Sequence, residues 1–235
     1  LLREVDPDQL GFVYEACRKI VAALPPGVPL IGFAGAPFTV ASYLIEGGSS
    51  RAFEHTKTFM LRYPQAWHTL LDRVARATAA YLNRQVEAGA GALQLFDSWV
   101  GCLSPELYRE FVLPHSRAVF EALPRDIPCV HFGRGTGQLL ELMRMAGGDV
   151  MGIDYMTSLE VAWERLGADT AVQGNLDPVV LLTDRQVISE RLQVVLRQAG
   201  GRPGHVFNLG HGLLPTTPVD NVRFLVDEVR RLSSR

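Results

Sequence analysis

The 235-residue sequence has few cysteines, no long apolar run and no excess of one charge. Its three cysteines, Cys17, Cys102 and Cys129, have no C-x-x-C spacing and leave an odd count, which favours reduced thiols over a disulfide framework. We expect all three to be buried or inert. No apolar stretch approaches the ~18 to 20 residues of a membrane span, and no signal-peptide pattern opens the chain. These absences predict a cytoplasmic protein that binds no membrane.

The charge balance excludes further classes of partner. The chain has 23 Lys and Arg against 25 Asp and Glu, for a formal net charge of -2, and the two signs are mixed along its length. This pattern is not typical of nucleic-acid-binding tails, so we expect no nucleic-acid partner. Any strongly charged ligand must therefore be bound by locally arranged groups.

Short apolar runs alternate with longer segments of helical periodicity, which is the pattern of βα units around a buried parallel sheet. The six apolar runs are residues 29–35, 91–97, 127–133, 150–155, 170–175 and 204–210. Each run ends in a polar loop, and the strand ends of a parallel barrel meet at one mouth, where the active site lies. The sequence therefore predicts an α/β fold, a (β/α)8 TIM barrel.

The predicted barrel has fewer units than a closed one. A closed barrel has eight βα units, so we expect residues 1–235 to form a single, incomplete barrel domain whose two other units lie upstream of residue 1. An open doubly wound sheet is the alternative. The "GFAGAP" segment after the first run, however, lacks the G-x-G-x-x-G spacing of a dinucleotide-binding loop.

Two segments in the first half of the chain contain candidate site residues. In "YLIEGGSSRAF", the backbone N–H groups of residues 47–50 could, with Arg51, bind a carboxylate or phosphate. A flexible loop with a serine helix cap fits equally well. In "LQLFDSWVG", Asp97 and Ser98 follow an apolar run at a predicted barrel mouth. Asp97 could cap the next helix, but Ser104 already offers a cap there, so we favour a site role for Ser98.

The "VHFGRG" and "VQGNLDP" segments supply weaker candidates. His131 has no nearby Cys or His to complete a zinc site, so it is more typical of a hydrogen-bonded core residue, and Arg134 is the better candidate for binding an anion. Asn175 and Asp177 are typical of a tight turn whose side chains bond their own backbone.

The "NLGHGLLPTTP" segment places His211 between two glycines. These glycines allow close approach of the backbone to a ligand, and histidine changes charge near neutral pH. Asn208 could position this loop. From the residues alone, a site histidine and an ordinary turn histidine remain nearly balanced.

Four segments together resemble the uroporphyrinogen decarboxylase family, in the same order and over nearly the whole chain: "GFAGAPFTVASYLIEGGSS", "GALQLFDSWVG", "VQGNLDP" and "NLGHGLLPTTP". The resemblance implies a dimeric (β/α)8 barrel and a carboxy-lyase of heme biosynthesis. Such an enzyme removes four acetate carboxylates from uroporphyrinogen III to give coproporphyrinogen III, with no metal and no organic cofactor.

The resemblance also implies which residues bind the substrate. The implied substrate cleft is lined by Tyr43, Ser98 and His211 and, less strongly, by Gly47, Gly48, Arg51 and Arg134. Trp99 stands where some family members have a histidine, so carboxylate binding is not transferred to it. We expect the family's arginine-rich segment and its principal catalytic aspartate upstream of residue 1. This chain alone is then expected to be inactive if it is the entire polypeptide.

Two other functions remain as alternatives. A zinc-dependent corrinoid or thiol methyltransferase of the same superfamily would need Cys in a His-x-Cys and a Gly-Cys-Gly segment. Here Gly133 and His211 stand at those places, which argues against zinc. The other alternative is a catalytically inactive fragment that binds a tetrapyrrole.

Overall fold

A computed structural model describes residues 6–48 and 50–233. Six strands are present in this part of the chain: β1 Ile31–Gly35, β2 Ala92–Asp97, β3 Cys129–Gly133, β4 Val150–Gly152, β5 Ala171–Leu176 and β6 His205–Leu209. Each lies within or overlaps one of the six predicted runs, so all six predictions are confirmed.

The α-helices of the described residues are α1 Gly11–Ala23, α2 Pro37–Glu46, α3 Glu54–Arg62, α4 Pro64–Glu87, α5 Pro105–Phe111, α6 Leu113–Glu121, α7 Leu140–Ala146, α8 Leu159–Leu166, α9 Arg185–Ala199 and α10 Val219–Ser233. Short 3-10 helices lie at Pro7–Leu10, Val100–Cys102, Gly137–Leu139 and Pro178–Leu182. As predicted, Ser104 caps α5, because its side chain accepts a hydrogen bond from the Leu107 N–H. None of these described helices is both long and apolar enough to cross a membrane.

The strand order confirms the predicted fold class. All neighbouring strands are parallel, and they lie in the order β1-β2-β3-β4-β5-β6. A doubly wound sheet would reverse its order at a switch point, so the unbroken order matches successive βα units of a barrel. No described strand joins β1 to β6, and these two are the edges of the sheet among the described residues.

The two faces of the sheet have different partners. Leu93 and Leu95 of β2 pack with Leu82 of α4 in one apolar cluster. Because strand side chains alternate, Gln94 points to the opposite face, where its Oε1 accepts a hydrogen bond from Gln173 Nε2 of β5 at 3.3 Å. Strands β2 and β5 are not neighbours, so this contact requires a strongly curved sheet whose inner faces meet.

The core is formed mainly between the sheet and the outer helices. Trp67 of α4 is fully buried, and its indole N–H donates to the carbonyl of Phe111 at 2.9 Å, which satisfies its one polar atom. Cys17 and Cys129 are buried, whereas Cys102 is half-buried. Burial raises the pKa of the Cys129 thiol to about 12 and also raises that of Cys102, as expected of unreactive thiols.

Candidate active site at the carboxyl ends of the strands

The end of β2 forms the first polar cluster, the Asp97 cluster, which consists of Thr39, Tyr43, Asp97 and Trp99. The Asp97 carboxyl is 0% exposed. Its Oδ1 accepts a hydrogen bond from Thr39 Oγ1 at 3.0 Å, and the same hydroxyl accepts one from the Trp99 N–H at 3.3 Å. Burial raises the pKa of Asp97 to about 7, against hydrogen bonds from Thr39 that act to lower it. This carboxyl can therefore change charge near neutral pH.

Aromatic contacts connect the Asp97 cluster to the mouth. The Trp99 ring packs against Tyr43 of α2, with centroids 5.9 Å apart, and against Phe53 at 5.5 Å. Tyr43 is 47% exposed and Ser98 is half-buried. Because Ser98 directly precedes Trp99, these two predicted substrate residues lie on the same side of the mouth.

The second polar cluster, the Asp154 cluster, consists of Arg134, Asp154 and His211 at the ends of β3, β4 and β6. Asp154 is buried, and its two oxygens accept the N–H groups of Gly135 at 2.5 Å and Met156 at 3.2 Å. Burial raises the pKa of Asp154, while these N–H groups, Arg134 and His211 act to lower it. One carboxyl thus holds the β3 loop and faces two cationic or titratable groups.

His211 is exposed, whereas Asp154 in the same cluster is buried. Its Nδ1 accepts the Gly212 N–H at 2.6 Å, so the neutral ring has its proton on Nε2. Burial lowers the pKa of His211, Arg134 lowers it further, and Asp154 acts to raise it. The ring is therefore neutral at pH 7 and can donate one hydrogen bond through Nε2.

Gly210, one of the two glycines beside His211, packs closely against the backbone of the β4 loop. A Cβ at Gly210 would lie 2.3 Å from the backbone N of Tyr155, so this position needs glycine for contact with the β4 loop. Contact with Tyr155 thus gives a structural reason for glycine at position 210, and the close approach of a ligand at the two glycines stays a prediction. A Cβ at Gly212 would meet no atom within 4 Å.

A row of rings on the inner face of the sheet leads to His211 of the Asp154 cluster. Phe33 and Phe96 have centroids 5.9 Å apart, Phe96 and Phe132 are 5.8 Å apart, and Phe132 meets the edge of His211 at 6.5 Å. Phe33 is 60% exposed. The site therefore has an apolar wall that ends at the Asp154 cluster, which suits a large flat ligand with an anionic rim.

The loop after α2 borders Tyr43. Gly47 ends α2 at a φ of +73°, and its N–H donates to the Tyr43 carbonyl at 3.0 Å. Gly48 and the exposed Arg51 follow it, whereas Ser49 lies outside the described residues. Ser50 Oγ accepts the Phe53 N–H at 2.9 Å, as a local cap would.

A carboxylate already occupies the start of the next helix. Glu46 accepts both the N–H and the hydroxyl of Thr56, in the first turn of α3, at 2.9 Å each. The negative charge of Glu46 reduces the attraction of this helix start for another anion. The anion cradle formed by the N–H groups of residues 47–50 with Arg51 stays a prediction.

His131 is a buried core residue, as its pattern suggested. Its Nδ1 lies 3.2 Å from the carbonyls of Met143 and Gly147, and burial lowers its pKa to about 4. The described residues contain no group of three His, Cys, Asp or Glu side chains able to hold a metal ion.

The two polar residues of "VQGNLDP" have different roles. Asp177 accepts the Val179 N–H at 3.0 Å, which is the predicted turn. The turn prediction is wrong for Asn175, because its buried amide donates to the carbonyls of Asp154 and Thr157 and so ties β5 to the β4 loop.

Sequence reasoning missed Thr39 as a member of the site, and it did not select Asp154 from the polar residues at the strand ends. Asp154 ends an apolar run as Ser98 does, so its position was a usable signal. Thr39 lies within a helix, and no local pattern distinguishes it from a core threonine. Its partner Asp97 is 58 residues away in the sequence.

Comparison with known proteins decides the family. Residues 1–232 match the family model "Uroporphyrinogen decarboxylase (URO-D)". The chain belongs to this family. It is 49% identical, over 99% of its length, to "Uroporphyrinogen decarboxylase" of Carboxydothermus hydrogenoformans, of which it covers 67%. It is 53% identical, over its whole length, to the protein of that name from Streptomyces coelicolor, of which it covers 66%. The chain thus spans about two thirds of the length of these curated relatives.

A solved structure supports the fold. A "methyltransferase from Methanosarcina mazei" superposes with a TM-score of 0.82 over 94% of this chain and 64% of its own, at 23% identity. At this identity the likeness concerns the fold alone. The family match does not favour the methyltransferase alternative.

Proposed function

We propose that the gene product carrying this chain is a uroporphyrinogen decarboxylase, a carboxy-lyase of heme biosynthesis that converts uroporphyrinogen III to coproporphyrinogen III. The observation that carries this proposal is the family match over residues 1–232, together with about 50% identity to relatives of that name. The geometry of the strand ends supports the same function.

The reaction defines what the site must do. In each of four steps an acetate side chain, –CH2–COO⁻, loses CO2 and gains a proton to become –CH3. The electrons of the broken C–C bond need a sink, which protonation of the pyrrole ring provides. The site must therefore bind a polyanion, deliver protons and keep water from the reacting ring.

The Asp154 cluster has suitable groups for the first two tasks. Arg134 is permanently positive and can bind a substrate carboxylate, to which neutral His211 can donate its Nε2–H. A bound carboxylate would offset the repulsion from Arg134 and raise the pKa of His211. Substrate binding would then favour uptake of a proton at His211, next to the reacting side chain.

The other side of the mouth would hold and shield the macrocycle. Tyr43 and Ser98 offer hydroxyl donors for further carboxylates, and the row of Phe33, Phe96 and Phe132 would contact the apolar pyrrole rings. Gly47, Gly48 and Arg51 would border this side. We propose no metal and no organic cofactor.

We also propose a homodimer, on the family resemblance and on the exposed apolar side chains of Met156 and Leu213 in loops at the strand ends. Sedimentation velocity distinguishes a dimer from a monomer.

The proposal is tested with the full gene product containing these 235 residues. We expect uroporphyrinogen III, kept reduced and without air, to yield products with seven, six, five and finally four carboxylates by chromatography. His211→Ala should lower kcat/KM by about tenfold or more, since a charge-assisted hydrogen bond is worth ~1.5–3 kcal/mol. Its fold should be intact, because the ring is exposed.

The matched control is His55→Ala, which removes an exposed histidine from the first turn of α3. It should retain wild-type kinetics. Turnover no faster than a blank for the wild type would sink the proposed function. Wild-type kinetics for His211→Ala would return this residue to an ordinary turn.

A further inference from the structure

Helix α2 begins without a cap from its own sequence. Its N-cap residue is Ala36, which has no side-chain acceptor for the first N–H groups of the helix. The neighbouring strand instead contacts the first turn of the helix through a side chain. The Asp97 carboxyl accepts a hydrogen bond from the hydroxyl of Thr39, the third residue of α2. Asp97 thus attaches the start of α2 to the end of β2.

The Thr39 hydroxyl has two partners at once. It donates its single hydrogen to Asp97 and accepts the backbone N–H of Trp99. Thr39 is buried, so water has no easy access to replace either bond. Loss of this hydroxyl alone would release the backbone of the turn that contains Ser98 and Trp99.

The hydrogen bond between Thr39 and Asp97 also affects the position of Tyr43. Residues four apart share one face of a helix, so Tyr43 lies one turn beyond Thr39, and its ring packs against Trp99. A shift of the start of α2, or of the turn at Trp99, would therefore displace Tyr43 and Ser98 together.

We infer that Asp97, acting through the hydroxyl of Thr39, is a positioning residue that sets the places of Tyr43, Ser98 and Trp99 at the mouth. This inference rests on the proposed function, because Tyr43 and Ser98 are the groups proposed to bind uroporphyrinogen. Asp97 itself is buried and does not touch substrate.

The first experiment compares Thr39→Val, which has nearly the same shape without the hydroxyl, with Thr39→Ser, which restores it. Thr39→Val should lower kcat/KM for uroporphyrinogen by about tenfold, mainly through KM, because substrate contacts are misplaced. Thr39→Ser should recover most of this loss. Thr69→Val is the matched control, since it removes an exposed hydroxyl that donates to the Gln65 carbonyl within α4, and it should behave as wild type.

The second experiment does not need turnover. Trp67 and Trp163 are buried, at 0% and 1% exposure, whereas Trp99 is half-buried. Of the three tryptophans in these 235 residues, iodide should therefore quench mainly the fluorescence of Trp99. Thr39→Val should change the quenchable fraction, and Thr39→Ser and Thr69→Val should not.

The two readouts separate the possible failures. A quenching change in Thr39→Val with no turnover by any variant or the wild type would support the positioning and overturn the proposed function. Unchanged quenching in Thr39→Val would overturn the positioning, whatever the kinetics, and so would a loss that Thr39→Ser does not recover.

Should Thr39→Val fail to fold, Asp97→Asn provides the test. Tyr108 and Cys102 also face Asp97, but burial raises the pKa of both, so neither titrates near pH 7. Between about pH 6 and 8 the wild-type KM should show a change from the ionisation of Asp97 in addition to the change from His211, and the Asp97 part should be absent in Asp97→Asn. Identical pH profiles of KM in the two proteins would overturn the inference.

Discussion

Asp97 and Asp154 are both buried aspartates at the carboxyl ends of strands, yet their surroundings differ. Asp97 has one hydroxyl donor, and its Oδ2 has no hydrogen-bond partner among the described residues. Asp154 has two backbone N–H donors and lies near Arg134 and His211. Asp97 therefore anchors a helix behind the sheet, and Asp154 organises charged groups at the mouth. The donors around a buried carboxyl decide its role, more than its residue type or its place on a strand.

The largest expected effect comes from the contact that joins the two clusters. Gly101 follows the Trp99 turn, and a Cβ there would lie 2.2 Å from the Arg134 carbonyl oxygen and 2.6 Å from that of Gly135. Backbone atoms cannot move aside as a flexible side chain can. We expect Gly101→Ala to lower the free energy of unfolding by about 3 kcal/mol, as measured by chemical denaturation.

Gly11→Ala is the control for this substitution. Gly11 has an ordinary helical φ of -50°, and an added Cβ would meet no atom within 4 Å. We expect Gly11→Ala to raise the free energy of unfolding by less than about 1 kcal/mol. Equal stability of Gly101→Ala and wild type would mean that the two clusters are not in contact through this loop.

A smaller effect should follow from removing the charge of Asp154. Asp154→Asn loses a charged acceptor for two N–H groups and should lower the free energy of unfolding by about 2 kcal/mol. The carboxylate acts to raise the pKa of His211, so its loss should lower that pKa, which an NMR titration of the imidazole measures.

Asp149→Asn is the matched control, because Asp149 also accepts a backbone N–H, that of Cys129, but at the opposite end of the sheet. It should leave the His211 titration unchanged. A higher pKa of His211 in Asp154→Asn would contradict the arrangement of the Asp154 cluster.

The smallest expected effect is the pH dependence that Asp97 adds. Its pKa of about 7 in the folded state exceeds the unfolded value of ~3.9, so the folded state binds the proton more tightly. This contribution to stability is complete below about pH 4 and is lost as the pH rises through about 7. All other titrating groups are common to both proteins. The free energy of unfolding of Asp97→Asn, taken relative to that of wild type, should therefore rise by at least ~1 kcal/mol from pH 5 to pH 8. If the difference in the free energy of unfolding between the two proteins stays constant from pH 5 to pH 8, Asp97 is already ionised at pH 5.

Local patterns predicted the strands well and their ends less well. The run at residues 150–155 contains β4, but the strand stops at Gly152. Asp154 accepts a hydrogen bond from the Met156 N–H, and this bond bends the chain into a turn. The pattern of apolar residues does not reveal such a hydrogen bond.

The sequence by itself determined the alternation of strands and helices, the parallel α/β class and the family, because these depend on local periodicity and on motifs that are contiguous in the chain. Only the tertiary structure decided that Thr39 joins Asp97 to Trp99, that Asn175 bonds the β4 loop, and that Gly210 is needed for contact with Tyr155. Such pairings depend on which elements pack together. Their residues are distant in sequence, and each alone resembles an ordinary helix, turn or loop residue.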